Sequence, residues 1–276
     1  MSGVDAAVDR MLSSRSENAW FVDVFWPEIR ARTLIALADI QERVPPGAAV
    51  LDIGCFDGFF CELLTYLGFE ATGSDAWSDD RRDRRFKELG IHFLDANFNE
   101  AEPFSGLEDR AFQAAYMGEV IEHVLHHPLG LLQDVWRVLA PSGWLALTTP
   151  NPSTAMNAWR VLADRHSLWG TEDFMRLPKY EDGRAITVAH VHYREYTQGE
   201  LHGLLEMAGF KVERSRFVPV GATREQSVTK RALKGSPLTR ALFSTRLFGR
   251  TQYVLARGVQ AHDLAVAPLG RPGSQQ

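Results

Sequence analysis

Apolar and polar positions along this chain follow two alternating rhythms. Between Ala48 and Thr149, the short apolar runs AAVLDIG, FEATGSD, IHFLDA, AFQAAYMGE and GWLALTTP predict strands. Between these runs the spacing turns helical. Phe60, Leu63, Leu64 and Leu67 stand at i, i+3, i+4 and i+7, as do Leu132, Val135, Trp136 and Leu139. Each set places one apolar stripe on one helix face. Strands alternating with helices predict a parallel sheet with helices packed on it. Continuously apolar strands such as WLALTT fit a sheet covered on both sides. Ahead of this core a helical pattern runs from about Trp20 to Val44, broken at Pro27 and ended by Pro45-Pro46-Gly47.

From Pro150 to about Tyr196 the alternation lapses, yet the stretch carries Trp159, Trp169, Phe174, Tyr180 and several histidines. A long aromatic insertion in a compact domain reads as a lid or binding loop. Regularity returns at Thr197-Gln198-Gly199-Glu200, whose hydroxyl and carboxylate have capping-box spacing. Leu201, Leu204, Leu205 and Ala208 form the stripe of that helix, and Gly209 suits its end. FKVERSRFV and TQYVLARGV predict a final pair of strands. Between them, residues 222–250 carry Arg224, Lys230, Arg231, Lys234, Arg240, Arg246 and Arg250 against the single acid Glu225. The chain therefore reads as one domain over 1–258, with a helical cap (1–47), a core (48–149), a lid or substrate insertion (150–196) and a C-terminal part of the core (197–258). A flexible tail at 259–276 follows, rich in Gly, Pro, Ser and Gln near its end.

Composition narrows the class. The 276 residues are 45% apolar, 24% charged and 11% aromatic, which excludes a collagenous, coiled-coil or wholly disordered protein. No run approaches the ~20 apolar residues of a bilayer-spanning helix. The N-terminus MSGVDAAVDRMLSSRSE has no basic start followed by an apolar run, so no secretory signal is read. Two cysteines, Cys55 and Cys61, make no disulfide framework and point to a reducing cytoplasm. The net charge of −5 gives no reason to expect nucleic acid as a partner.

The segment Val50-Leu-Asp-Ile-Gly-Cys-Phe-Asp-Gly-Phe-Phe60 runs a buried strand into a glycine turn and then a helix. Gly54 and Gly58 let backbone approach a ligand where free N–H groups of a helix start point outward. A dinucleotide fold prefers G-x-G-x-x-G here for its pyrophosphate. This chain instead has Phe56 between the glycines and an acid, Asp52, within the strand. A carboxylate disfavours phosphate and favours a positively charged ligand such as S-adenosylmethionine (SAM), with its ammonium and sulfonium. Further acids follow at strand ends: Asp75, placed for ribose hydroxyls; Asp95, within reach of an adenine amino group; and Glu119. That is the edge at which open α/β sheets bind ligands.

Taken in order, VLDIGCFDGFF, GSDAW, DANF, GEVIEHVLHHP, VWRVLAPSGWLALTTPN and HYREYTQGELHGLLEMAGF resemble the signature of class I SAM-dependent methyltransferases. The nearest group includes ubiquinone-biosynthesis and natural-product O-methyltransferases, and the resemblance covers roughly residues 48–215. It implies an α/β, Rossmann-like, doubly wound sheet of seven strands with the last antiparallel. It also implies SAM contacts at Asp52, Gly54, Cys55, Gly58, Asp75, Ala76, Asp95, Ala96 and Glu119. One departure is Phe56, where the family usually has glycine: its side chain must point away from SAM or narrow the site.

Methyl transfer from a sulfonium is an in-line displacement, so the protein must align nucleophile and methyl carbon about 3 Å apart and take up a proton. Histidine suits the second task. The candidates are His123, His126 and His127 after the fourth strand and His190 and His192 before the capping box, with His123 and His192 favoured. Glu119, Glu122 and His123 also form E-x-x-E-H, and with His192 they offer a donor set for Mg2+ or Mn2+. That arrangement is similar to metal-assisted 2′-O-methyltransferases of small-RNA ends, which pair E-x-x-E-H with a later H-x-x-E-[WY]-T, here His192 to Thr197. The plainer alternative has Glu119 lining the SAM site, Glu122 capping a helix and His123 packed or acting as base.

The cap aromatics Trp20, Phe21, Phe25 and Trp26, with the 150–190 insertion, suit a lid over a mostly apolar pocket for a small acceptor. The favoured reading is an O-methyltransferase of secondary metabolism acting on a sugar, polyketide, quinol or similar metabolite. Its alternatives are the metal-assisted RNA-end enzyme, a SAM-binding module without turnover, and a NAD-dependent dehydrogenase. The basic 222–250 segment suits an anionic or lipid-linked substrate or membrane surface, or is simply a solvated face.

Overall fold

The computed structural model describes residues 3–77, 79–100, 102–165, 180–181, 184–185, 192–219, 241–242 and 244–259. Strands β1 (Ala49–Ile53), β2 (Glu70–Asp75), β3 (His92–Asp95), β4 (Phe112–Gly118) and β5 (Leu139–Pro150) come first, then a two-residue hairpin, β6 (Tyr180–Glu181) and β7 (Arg184–Ala185). β8 (Phe210–Val218) and β9 (Thr251–Gly258) complete the set. Seven of them form one sheet in the order β3-β2-β1-β4-β5-β9-β8. β1 to β5 pair in parallel, whereas β9 runs antiparallel to both β5 and β8. This is the seven-stranded sheet with an antiparallel last strand that the resemblance implies.

Neighbouring strand residues project to opposite faces, and the chain uses this to build two cores. Val50, Ala114 and Ala146 join one cluster with Ile29, Leu37 and Ile40 of α2 (Trp26–Arg43) and Phe60 and Leu64 of α3 (Phe59–Tyr66). Leu51, Ala115 and Leu145 join the other, with Leu132 and Val135 of α5 (Pro128–Val138) and Leu201 and Leu205 of α7 (Gln198–Met207). Each such fully buried Leu, Ile or Phe contributes roughly 1.5–3 kcal/mol.

Four details depart from the sequence pattern. A helix that the pattern did not mark, α1 (Gly3–Ser13), buries Ala7, Val8 and Met11. Pro27 does not break the helical run: it sits in the first turn of α2, directly after a π-helical turn over Phe21–Phe25. The α5 stripe is out of phase by a residue, because Leu131 and Val138 are buried, Trp136 is exposed and Leu139 already opens β5. Within the 150–196 insertion, α6 (Ala155–Leu162) forms behind the N-cap Thr154, which accepts from the Asn157 N–H. Trp169, Phe174 and His190 lie outside the described residues, as do 260–276 of the tail. Of the basic residues of 222–250, only Arg246 and Arg250 fall inside them.

The cap is fastened to the loop after β1. Arg15 Nε lies 2.9 Å from Asp57 and its Nη1 2.7 Å from Glu62 at the start of α3. No helix of the described residues is long and apolar enough to cross a membrane.

Candidate functional site

The turn from β1 into α3 needs left-handed backbone three times, at Gly54 (φ 72°), Phe56 (φ 51°) and Gly58 (φ 83°). The Gly54 and Cys55 N–H groups both donate to the Ser74 carbonyl at 2.9 Å, tying the loop to β2. A Cβ on Gly54 would strike Val120, and one on Gly58 would strike the Phe86 ring of α4 (Asp80–Leu89). Gly54 lines the ligand cavity, whereas Gly58 is required by its conformation and by the packing of α4. Phe56 adopts a conformation that costs a bulky side chain about 1–2 kcal/mol.

The strand-end carboxylates are largely withdrawn from water. Asp52 is buried and accepts a hydrogen bond from the Cys61 thiol at 3.3 Å. Burial pushes its pKa up to about 7, against the pull of that thiol and with a further push from Asp75. Asp75 accepts from the Phe56 N–H at 2.8 Å and from the Ala76 N–H at 2.7 Å. Desolvation raises its pKa and these amides oppose the rise. Glu119 holds φ at 58°, presents Oε2 to Arg32 of α2 at 3.4 Å and leaves Oε1 buried without a hydrogen-bond partner. Asp95 pairs with Asp75 in the β2–β3 register but is exposed, and the buried Ala96 donates its N–H to the Asp75 carbonyl at 2.9 Å.

A 3-10 turn, Ile121–His123, carries the second half of the site. The Glu122 side chain is fully buried and accepts from Thr149 Oγ1 at 2.9 Å. Burial first, and then the neighbouring Glu119, hold its carboxyl well above the usual range. Its carbonyl accepts the Tyr193 N–H at 2.7 Å, drawing the segment before α7 across the sheet edge. His192 thereby meets His123 edge to face, with ring centroids 5.0 Å apart. His192 Nδ1 lies 2.9 Å from Glu195 Oε1. One possible ligand atom from each of Glu122, His123 and His192 falls within 4.8 Å of the others, a group that does not include Glu119.

One cavity of about 330 Å³ joins these parts. Asp52, Gly54, Cys55, Asp75, Glu119, His123 and His192 lie on its wall. Gly58, Ala76, Asp95 and Ala96 do not, although Ala76 and Ala96 brace Asp75 from behind. Exposed His126 and His127 stand away from it. Sequence reasoning missed Arg32, and missed Tyr116, whose ring stacks on Phe60 at 3.9 Å and whose pKa burial pushes up to about 12. It also missed Glu195 as a partner of His192, for which the H-x-x-E spacing was the available signal.

The donors fit a cationic adenosyl ligand. Asp52, buried with Cys61 as its hydrogen-bond partner, and the orphaned Glu119 Oε1 are both groups that a positive charge would stabilise. Comparison with known proteins agrees. The family described as Methyltransferase domain matches residues 25–215. A ubiquinone biosynthesis O-methyltransferase of Xanthomonas axonopodis pv. citri is 28% identical over 198 residues, covering 70% of this chain and 76% of that protein. One from Ruegeria pomeroyi is 29% identical over 205 residues, covering 73% and 75%. A crystal structure of Burkholderia thailandensis 1,6-didemethyltoxoflavin-N1-methyltransferase, with bound 1,6-didemethyltoxoflavin and S-adenosylhomocysteine, shares the fold. Its TM-score is 0.54 at 17% identity, covering 93% of this chain and 89% of that one.

Proposed function

This chain belongs to the class I SAM-dependent methyltransferases, and on that footing we propose that it methylates an oxygen of a small, largely apolar acceptor. A quinol, polyketide or sugar is the class intended. The observation that carries the reading is the single cavity on which Asp52, Asp75 and Glu119 meet His123 and His192. The names of the O-methyltransferase relatives support the choice of oxygen.

When bound, SAM supplies an electrophilic methyl group on a sulfonium. Asp75 is placed for the ribose hydroxyls, Asp52 for the ammonium and Glu119 for the remaining positive charge. Asp95, with Ala96 beside it, is assigned to the adenine side. Phe25, Phe59 and Trp77 give the cavity an apolar wall. Glu195 engages Nδ1 of His192, so Nε2 is the nitrogen left to take the acceptor's hydroxyl proton. His123 packs edge-on against that ring and fixes its plane.

A second reading, metal-assisted transfer, is favoured by one observation. Glu122 Oε1 is buried without a hydrogen bond, 3.9 Å from His123 Nε2. One carboxylate and two imidazoles form a donor set suited to a divalent cation, with Thr149 and Glu195 bracing two of the ligands. Such an ion would lower the pKa of a bound acceptor hydroxyl. Cys55 and Cys61, both free and buried, are in keeping with a reducing compartment such as the cytoplasm.

The test is an acceptor panel assayed with methyl-labelled SAM, with and without EDTA and added Mg2+ or Mn2+. Label transfer to a hydroxyl supports the main reading. Transfer lost to EDTA and restored by metal supports the second. Binding of SAM without release of S-adenosylhomocysteine for any acceptor would leave a binding module instead.

A further inference from the structure

Two departures from ordinary backbone meet at one pair of rings. The first is a π-helical turn, Phe21–Phe25, leading into α2. Such turns are rare and concentrate at functional sites, because the extra residue re-aims the side chains of one turn. Here it carries Phe25 over the β1–α3 loop. Phe25 stacks on Trp20 at 5.1 Å and meets Phe59 at 6.1 Å and Phe56 at 5.5 Å. The second departure is Phe56 itself, a bulky residue held at φ 51°.

Phe56 does not pack into either core. Its side chain is 40% exposed, and the surface it does bury lies against Phe25 of the cap, on the cavity wall. The strain is nonetheless held from both sides: the Phe56 N–H donates to Asp75 Oδ2 at 2.8 Å, and its carbonyl accepts from Arg82 Nη1 at 3.3 Å. Those bonds need only the backbone, and glycine would make them without strain. What the ring adds is a place on the cavity wall beside Phe25, one residue from Cys55 and one hydrogen bond from Asp75. Strain retained on the wall of a ligand cavity, with the ring packed only against the cap, points to a role in holding the ligand.

We propose that Phe56 and Phe25 form an aromatic gate across the cavity, which covers a bound adenosyl ligand and slows its escape. The gate rests on the SAM-binding reading. Phe25 belongs to the cap and Phe56 to the loop that Asp75 anchors, so closing the rings couples the cap to the nucleotide side of the site.

The experiment uses the full chain with S-adenosylhomocysteine as probe, measuring dissociation rate, affinity and melting temperature without ligand. Phe56→Gly removes both ring and strain. Phe56→Ala removes the ring and keeps the strained backbone, and Phe25→Ala removes the opposite leaf. The expected result is that Phe56→Gly melts close to the parent, relieved strain offsetting the lost ring contact, yet releases the probe about tenfold faster, with Phe56→Ala and Phe25→Ala also faster. The double variant Phe25→Ala/Phe56→Gly should be little faster than either single one, because the rings act as a unit. Unchanged release in both Phe56 variants overturns the gate. So does a Phe56→Gly protein that melts well below the parent, since the ring would then be a support of the fold. If the parent protein does not bind the probe, the SAM-binding reading fails and the gate falls with it.

Discussion

Glu195 Oε1 lies 2.9 Å from Nδ1 of His192, and this contact decides which imidazole nitrogen is presented to the cavity. A carboxylate accepts, so Nδ1 carries the hydrogen and Nε2 the lone pair. The pairing is local, three residues apart, and leaves the ring edge-on to His123. Removing the carboxylate should therefore reduce turnover without disturbing the SAM side. Glu195→Ala is expected to lower kcat by about 10–100-fold while the KM for SAM stays within a factor of two or so. Glu195→Gln, which still offers an accepting oxygen, should fall between. Nitrogen-15 spectra of His192 should show hydrogen on Nδ1 in the parent and a mixed tautomer in the alanine variant. Parental kcat in Glu195→Ala would remove Glu195 from the mechanism.

Burial of Asp52 makes ligand binding pH-dependent in a defined direction. Its folded-state pKa of about 7 stands above the ordinary value of 3.8. The unliganded fold thus prefers the protonated acid, and stability contributed at low pH is lost as pH rises from about 4 to 7, on the order of 4 kcal/mol. A cationic ligand reverses that preference and must release the proton below pH 7. SAM affinity should weaken by up to about tenfold per pH unit below 7 and level off above it. Asp52→Asn should flatten that profile, weaken binding at pH 8 and raise the melting temperature of the unliganded protein at pH 8. Calorimetry from pH 5.5 to 8.5 on both proteins checks each part, and a parent profile as flat as the variant's would count against Asp52 as the ammonium's partner.

Much of this architecture was legible because local period reports local geometry. The five parallel strands, the capping box at Thr197 and Glu200 and the antiparallel β9 all follow from spacing or family resemblance. The meeting of Asp52, Asp75 and Glu119 on one cavity was expected from their strand-end positions. Three kinds of feature were not visible. Arg32 reaches Glu119 from the cap across 87 positions of sequence, and nothing local to Arg32 marks it. Trp136 fits the α5 stripe by period but is turned aside, donating from Nε1 to the Val259 carbonyl at 3.1 Å at the margin of the helix. Asp95 keeps the beat of the strand ends, yet β3 is an edge strand, so its carboxylate remains in solvent.

Asp75 is asked to do two things, and substitution separates them. Its oxygens already accept the Phe56 and Ala76 amides, and with Trp77 also donating to the carboxylate, the lone pair that remains is available for a ribose hydroxyl. Asp75→Ala should weaken S-adenosylhomocysteine binding by about 1–3 kcal/mol, because ribose hydroxyls are left unpaired in a buried site. It should also lower the melting temperature, since the loop amides of Phe56, Ala76 and Trp77 lose their acceptor. Asp75→Asn, with one accepting oxygen, should recover more of the stability than of the affinity. Unchanged affinity in Asp75→Ala by calorimetry would show that the ribose is held elsewhere.

Gly58 provides the sharpest separation of fold from chemistry in the loop. It caps α3 at φ 83° and faces the Phe86 ring, with Arg82 Cγ 3.3 Å from where a Cβ would stand. An added methyl group meets a left-handed backbone, costing about 1–2 kcal/mol, and an overpacked α4 contact costing about 1–3 kcal/mol. Gly58 is also absent from the cavity wall. Gly58→Ala is therefore expected to lose about 2–5 kcal/mol of unfolding free energy while the molecules that remain folded bind S-adenosylhomocysteine with little change. Urea denaturation measures the first and calorimetry well below the midpoint the second. A variant of parental stability that fails to bind would mean that Gly58 faces the ligand after all, and that α4 gives way to accommodate the methyl group.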